Sequence, residues 1–199
     1  MKLMLMLFVL NILSYQSLYA LSELKIKKNR LVVVEDVVKD LDSQANRVLS
    51  LSEKSDEPIY ILLDTPGGSV IGGLKLIRAI ERAKVRGIRV VCMVDGQSMS
   101  MGMHIMAACN HNFALPTSLL MFHKIAMYSM FYKIEENKTS VDIKQLKLLG
   151  DLLDKKLEER LKISKAQFDE YMHNEYIQYA SEFVSPSFVT VVDDYKLVN

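Results

Sequence analysis

Three apolar runs, each followed by a segment with helical spacing, constrain the fold of this chain more than any other feature. They cover residues 31–34, 59–63 and 88–94. The second run is apolar on both of its faces, which is typical of strands in parallel sheets that are covered by helices on both sides. The order strand, helix, strand, helix, strand, helix up to Cys109 therefore predicts an α/β domain with parallel strands.

Hydrophobic periodicity also predicts the helices of this domain. They are expected over 37–51, 70–84 and 101–109, and a longer one from Thr139 or Ser140 to Leu161. Ser164, followed three residues later by Gln167, forms a capping box and predicts a further helix to about His173. Short strands are expected at 113–115, 119–122 and 189–192. We expect one domain over 21–199, because a chain of 199 residues can bury a sizeable core.

The first twenty residues have the layout of a secretory signal peptide. Lys2 is the only charge before Glu23, and residues 3–13 are apolar except for Asn11. A more polar stretch leads to Ala20, after which we expect cleavage. We therefore expect an exported protein, periplasmic or secreted. The alternatives are an uncleaved membrane anchor, for which the apolar run is short, and a first buried element of the domain.

Composition narrows the possible partners and cofactors. The formal net charge of +1 gives no basis for nucleic acid or an anionic surface as a partner. The chain has no glycine-rich phosphate loop of the ATPase type, so any energy from ATP would have to come from another chain. None of the four histidines belongs to a close cluster of His, Cys and carboxylate, so we expect neither a metal nor a cofactor.

The chain contains two cysteines, Cys92 and Cys109. Two cysteines in an exported protein could pair. Cys92, however, lies within an apolar strand and Cys109 near a helix end, so we expect two buried free thiols.

Ser100 is the strongest candidate for a reactive residue. It follows the third predicted strand and precedes an apolar helix, so its hydroxyl can be exposed at a sharp turn beside the free N–H groups of a helix start. His123 directly follows the apolar run 119–122, and an imidazole suits a general base at neutral pH. Gly67 and Gly68 allow an N–H to turn outward as an oxyanion donor. Taken singly, the glycines also suit a tight turn and the histidine a structural role.

Three ordered motifs resemble those of the Clp protease proteolytic subunit, within the wider crotonase-like fold. They are the Pro66-Gly67-Gly68 loop, the segment GQSMSMG at 96–102, and the segment MFH that ends at His123. The similarity is strong from about Arg30 to His123 and weaker through the long helix. It implies an α/β fold of stacked β-α units with a long protruding helix.

The resemblance also implies roles for individual residues. Ser100 would be the acylating nucleophile and His123 its base, in peptide-bond hydrolysis through an acyl-enzyme. Gly68 and Met101 would hold the oxyanion through their backbone N–H groups. Ser98 is the alternative serine, but it lacks the Met-Gly pair that follows the family's nucleophile.

The third member of the triad is where the chain departs from the family, which places an aspartate a few residues before its last helix. The closest alignment puts Asn174 at this position, with Glu175 beside it as a substitute. An amide can orient His123 but does not stabilise an imidazolium as a carboxylate does. Asp169 and the adjacent aspartates at 193–194 are further candidates. A Ser–His dyad and an inactive protein are the remaining alternatives.

The chain departs from the family again after His123. The family continues with proline and a glycine-rich segment, whereas residues 124–132 contain neither. Because this apolar run would be exposed in a monomer, we expect a homo-oligomer, without carrying over the family's ring size.

The resemblance and the predicted export together indicate a function. The family's cytoplasmic members work with an ATPase, but an exported enzyme would meet no ATP. We therefore expect ATP-independent cleavage of small or unfolded polypeptides, with an ATPase partner as the less favoured alternative. A non-catalytic, peptide-binding relative is the alternative function, and acyl-thioester chemistry is a third.

Overall fold

The computed structural model of the protein describes residues 23–36, 38–124 and 136–199. The predicted signal peptide at 1–20 and all but the first residue of the apolar run at 124–132 lie outside these residues. Within the described ranges, no helix combines the length and the apolar character needed to cross a membrane.

Strands and helices alternate along most of the described chain. Their order is β1 (Leu24–Lys27), β2 (Leu31–Glu35), α1 (Asp42–Lys54), β3 (Ile59–Thr65), α2 (Val70–Val85), β4 (Val90–Met99), α3 (Met101–Ala108), β5 (His111–Ala114), β6 (Leu119–Phe122), α4 (Glu136–Leu161), α5 (Lys165–His173), β7 (Tyr176–Tyr179), β8 (Thr190–Val191) and β9 (Tyr195–Val198).

The main sheet is parallel along its central path and confirms the predicted α/β fold. Its order is β2-β3-β4-β5-β8, and β1 and β9 form a separate parallel pair. Strand β4 is long enough to have two neighbours on the same side: its first half pairs with β5 and its last residues pair with β6. Strand β6 in turn pairs antiparallel with β7. The C-terminal end of β4 therefore lies beside the strand that leads to His123.

Burial on both faces explains the apolar runs of the sequence. The side chains of Ile59, Ile61 and Leu63 enter the large core, which they share with residues of α1, α2 and α3. Leu62 alternates to the opposite face and joins a smaller cluster with Ile26 of β1. The alternation of β3 between the two clusters is the pattern expected of a strand covered on both sides.

Several boundaries differ from the sequence prediction, and β1, β7 and β9 were not predicted. Helix α1 begins at Asp42 rather than at residue 37, because Val38 pairs with Gly68 in an isolated parallel bridge. Helix α4 begins at Glu136, ahead of the predicted cap at Thr139 or Ser140. Strand β4 continues to Met99 instead of ending at residue 94. Pairing between segments distant in sequence extends β4 and shortens α1, and local periodicity carries no information about that pairing.

The prediction of two free thiols is wrong. Cys92 and Cys109 form a disulfide, with their Cα atoms 6.0 Å apart. Cys92 lies in β4, and Cys109 is the residue that ends α3. Because α3 runs back along the strand from which it emerges, its end returns to the first part of β4. The two cysteines meet for that reason, which the spacing along the chain does not show.

Candidate active site

Ser100 forms a sharp turn between β4 and α3. Its backbone has φ 51° and ψ −111°, which is a sparsely populated conformation for a residue with a side chain. The Ser100 N–H donates to the Met121 carbonyl at 2.8 Å, and the Ser100 carbonyl accepts from the Met103 N–H at 3.1 Å. These two bonds hold the turn on both sides. The side chain of Ser100 remains partly exposed.

His123 reaches this turn because of the register between β4 and β6. Met99 lies opposite Met121 in the parallel pair, so the residues beyond the two strand ends are neighbours. The Ser100 Oγ lies 2.9 Å from His123 Nε2, within hydrogen-bond distance. The His123 side chain is only 19% exposed. A hydroxyl and an imidazole that are distant in sequence thus meet at one edge of the sheet.

A carboxylate faces the other ring nitrogen of His123. The Glu175 Oε1 lies 3.9 Å from His123 Nδ1, which is longer than a hydrogen bond, and the Glu175 side chain is 74% exposed. Register explains this contact as well. Phe122 pairs with Tyr176 in the antiparallel pair of β6 and β7, so the next pair outward joins positions 123 and 175.

Asn174, the residue aligned with the family's aspartate, ends helix α5. Its side chain is exposed, and its N–H donates to the Glu170 carbonyl at 3.0 Å. Glu175 then takes a left-handed φ of 53°, which turns the chain into β7. The structure therefore brings the side chain of Glu175, the predicted substitute, close to His123. Asn174 instead contributes its backbone N–H to the C-terminal cap of α5.

The other acidic candidates lie elsewhere. Asp169 is paired with Lys165 one turn earlier on α5. Asp194 lies before β9, where its carbonyl accepts from the Leu24 N–H at 3.1 Å. Among the described residues, no group of three or more His, Cys, Asp or Glu side chains could hold a metal ion.

The glycine loop packs directly against the serine turn. Gly67 has φ 93°, and a β-carbon at this position would lie 2.7 Å from the Ser100 Cβ and 3.0 Å from the Met101 nitrogen. Only glycine allows this approach. Gly68, with φ 139°, follows within the bridge to Val38.

Hydrogen bonds on both sides of Gly68 fix the loop. The Val38 N–H donates to the Gly67 carbonyl at 2.7 Å, and the Ser69 N–H donates to the Val38 carbonyl at 2.6 Å. Among the described residues, the N–H groups of Gly68 and Met101 donate to no acceptor in the fold. The two groups predicted to hold an oxyanion are therefore both available for a ligand.

Thr65 supports this loop and was not among the residues predicted from the sequence. The Thr65 side chain is buried at the end of β3. Its Oγ1 donates to the Asp36 carbonyl and accepts from the Gly67 N–H at 3.1 Å. A polar residue that ends an apolar strand just before a glycine loop was the signal that could have identified it.

Ser98, the alternative serine, lies inside the protein. Its side chain is fully buried, and its Oγ has no hydrogen-bond partner among the described residues. A β-carbon on Gly102 would lie 2.7 Å from this hydroxyl, so the first turn of α3 covers it. A substrate therefore cannot contact the Ser98 hydroxyl in this conformation.

A second histidine–carboxylate pair lies behind the serine turn and was also missed. His104, on the buried first turns of α3, has its Nε2 3.8 Å from the Asp154 Oδ1 of α4. Burial lowers the pKa of His104 to about 4. Burial, followed by the charge of Asp151, raises the pKa of Asp154 to about 6. A histidine within an otherwise apolar helix was the sequence signal of this pair.

Comparison with known proteins places the chain in a family. The family model described as Clp protease matches residues 16–194. Relatives named ATP-dependent Clp protease proteolytic subunit 3, from Synechococcus sp. strains CC9605 and CC9902 and from Parasynechococcus marenigrum strain WH8102, are each 39% identical to this chain over 75 residues.

These pairwise alignments cover 37% of this chain and 36% of each relative, so the chain matches about a third of the length of these relatives. The family model is much broader, because its range includes Ser100, His123, Glu175 and all but the last strand of the described fold. The chain therefore belongs to the Clp protease family.

Proposed function

We propose that the protein is a serine peptidase that hydrolyses peptide bonds through an acyl-enzyme formed on Ser100. The observation that supports this most is the 2.9 Å distance between the Ser100 Oγ and His123 Nε2. A serine hydroxyl is a weak nucleophile alone and needs an adjacent base. Here the base lies beside the hydroxyl, and the N–H groups of Gly68 and Met101 have no acceptor within the part of the chain that the structure describes.

The geometry supports the following sequence of steps. The Ser100 Oγ attacks the carbonyl carbon of the substrate while His123 Nε2 takes the hydroxyl proton. The N–H groups of Gly68 and Met101 bind the oxyanion that develops. His123 then gives its proton to the leaving amine, which breaks the peptide bond and leaves an acyl-enzyme. A water molecule, activated by the same histidine, releases the acyl group.

Glu175 supplies electrostatic support to His123 rather than a buried hydrogen bond. Its carboxylate is close enough to favour the imidazolium that forms during the reaction, but the distance of 3.9 Å and the 74% exposure of the side chain weaken this effect. We therefore describe the centre as a Ser–His pair with a peripheral carboxylate.

We further propose that the enzyme is exported, forms a homo-oligomer and cleaves small or unfolded polypeptides without ATP. The predicted signal peptide and the disulfide both support an oxidising compartment. Leu148 and Leu152 on one side of α4 are 70% and 62% exposed, which supports a contact with another copy of the chain. N-terminal sequencing of the exported protein tests cleavage after Ala20, and a native mass measurement tests the oligomer.

A fluorophosphonate probe tests the reaction itself. We expect it to label Ser100, Ser100→Ala to abolish labelling, and the matched variant Ser98→Ala to keep it. His123→Ala should abolish peptide hydrolysis while circular dichroism shows an unchanged fold. Labelling that persists in Ser100→Ala would overturn the assignment of the nucleophile.

One observation favours a second candidate, a non-catalytic protein that binds peptides. The carboxylate opposite His123 is exposed and beyond hydrogen-bond distance, so it gives the Ser–His pair little support for efficient turnover. This candidate predicts peptide binding without fluorophosphonate labelling and without hydrolysis, and a single labelling experiment with the parent protein separates the two.

A further inference from the structure

The Cys92–Cys109 disulfide encloses the serine turn within a covalent loop. The loop runs from Cys92, near the start of β4, through Ser100 and along α3, and its two ends are 17 residues apart in sequence. Cys92 lies at the centre of the sheet, where it is opposite Ile61 of β3 and Asn112 of β5. Ser100 is near the midpoint of this loop.

The loop fixes both ends of α3 to one strand. The N-terminus of α3 follows β4 directly through Ser100, and the disulfide ties Cys109, the residue that follows the C-terminus of α3, back to β4. The helix is 8 residues long and all of its side chains are buried. Any shift of α3 along β4 would move the Met101 N–H and change the backbone angles of Ser100. The disulfide opposes that shift.

Ser100 requires such a restraint because its backbone conformation is unfavourable. A non-glycine residue at φ 51° and ψ −111° keeps this conformation only where its surroundings impose it. The hydrogen bonds of Ser100 to Met121 and Met103 contribute to this, but both are non-covalent. The disulfide is the covalent restraint on the helix that begins at this residue.

We propose that formation of the Cys92–Cys109 disulfide sets the reactivity of Ser100, so that the enzyme reaches full activity only in an oxidising compartment. This inference rests on the proposed function of Ser100 as the nucleophile. The two cysteines are positioning residues, because they act on the serine through the helix and do not contact the substrate.

The reduced chain keeps its fold in this proposal. The turn after α3 is also tied to β4 by two bonds between Asn110 and Val90, each 2.8 Å long, and Arg160 of α4 donates to the Cys109 carbonyl at 3.1 Å. These bonds do not depend on the oxidation state of sulfur. Reduction therefore removes the covalent restraint on the position of α3 along β4, while these weaker bonds keep the helix in the core.

The redox step is a thiol–disulfide exchange. The thiols of Cys92 and Cys109 give up two protons and two electrons to a disulfide oxidant, whose own disulfide becomes two thiols. Both cysteines are fully buried in the folded protein. Exchange therefore requires the loop to open transiently, so the bond forms and breaks slowly in the folded protein.

The experiment compares the oxidised and reduced forms of the parent protein. Dithiothreitol reduces the bond, alkylation followed by mass spectrometry counts the thiols, and glutathione disulfide restores the bond. The measured quantity is the second-order rate of fluorophosphonate labelling at Ser100. We expect a fall of about ten- to a hundredfold on reduction, because a displacement of about 1 Å of a reacting group costs up to about a hundredfold. Reoxidation should recover the rate.

Two variants separate positioning from simple stability. The double variant Cys92→Ala with Cys109→Ala should label slowly with or without dithiothreitol. Leu51→Ala removes a buried side chain of α1, outside the loop, and should lower Tm while labelling at the parent's rate. If the double variant does not fold, the two redox forms of the parent still give the comparison.

The possible labelling rates and thiol counts separate the redox inference from the proposed function. Equal labelling rates for the oxidised and reduced forms, at a temperature where circular dichroism shows both folded, would overturn the redox inference and leave the proposed function standing. An oxidised parent in which Ser100 is never labelled would overturn the proposed function, and the inference with it. Free thiols at both positions in protein isolated from an oxidising compartment would also overturn the inference.

Discussion

Replacing Glu175 with Gln measures how much of the reaction rate depends on the carboxylate behind His123. The change keeps the shape of the side chain and removes one negative charge that lies 3.9 Å from His123 Nδ1. Two unit charges at that separation attract by about 1 kcal/mol in a water-like dielectric and about 4 kcal/mol at an effective dielectric of about 20. Because the Glu175 side chain is 74% exposed, the lower value applies.

A loss of about 1 kcal/mol of transition-state stabilisation lowers kcat about fivefold. This is far less than the loss of about 10⁴ that follows when a buried triad carboxylate is replaced. The assay is the hydrolysis of a short fluorogenic peptide at neutral pH, with kcat and KM determined separately. The effect should shrink in about 1 M salt, because salt screens exposed charges.

The matched control is Glu170→Gln, which removes the same charge from the exposed surface of α5. We expect this control to keep the parent's kcat. A fall of about 10³ or more in Glu175→Gln would refute the reasoning, because it would require the carboxylate to close onto Nδ1 in the working enzyme. An unchanged kcat would equally refute any role for this carboxylate.

Three further predictions concern the loop and the buried pair. Gly67→Ala should slow fluorophosphonate labelling about a hundredfold, because the new β-carbon would lie 2.7 Å from the Ser100 Cβ at a left-handed φ of 93°; labelling at the parent's rate would contradict the close packing. Thr65→Val should lower the free energy of unfolding in urea by about 1–3 kcal/mol, because the Gly67 N–H loses its buried acceptor. An unchanged urea midpoint of unfolding would show that the Thr65 hydroxyl does not stabilise the fold. Burial raises the pKa of Asp154 to about 6, so the folded protein loses stability as the pH rises through that value, and Asp154→Asn should raise Tm more at about pH 7.5 than at about pH 4.5. Above its own pKa of about 4, His104 is neutral and does not offset the cost of burying the charged Asp154. A Tm difference between variant and parent that is independent of pH would contradict this prediction.

The split pairing of β4 is the feature of the fold on which the site depends. The first half of β4 pairs with β5, and its last three residues pair with β6. Strand β6 therefore starts where β5 has ended and carries His123 past the end of β4. If β6 paired one residue out of this register, its side chains would exchange faces of the sheet and the histidine would point away from Ser100.

The chain sequence by itself determined the β-α units, the serine turn and the position of the histidine. Each of these depends on a local pattern: apolar runs bounded by turns, glycines where the backbone must pack closely, and a polar residue at a strand end. Ser100, His123, Gly68 and Met101 could be chosen from such patterns together with the family resemblance. Local patterns suffice there because each one constrains only neighbouring residues.

The tertiary structure alone decided three contacts. It placed Glu175 opposite His123 because β6 and β7 pair in one register, whereas alignment favoured Asn174. It joined Cys92 to Cys109 because α3 folds back along β4. It also set the buried His104 of α3 against Asp154 of α4. Each contact depends on the distance between elements that are separate in sequence, and that distance is fixed by strand register and helix packing, which local composition does not encode.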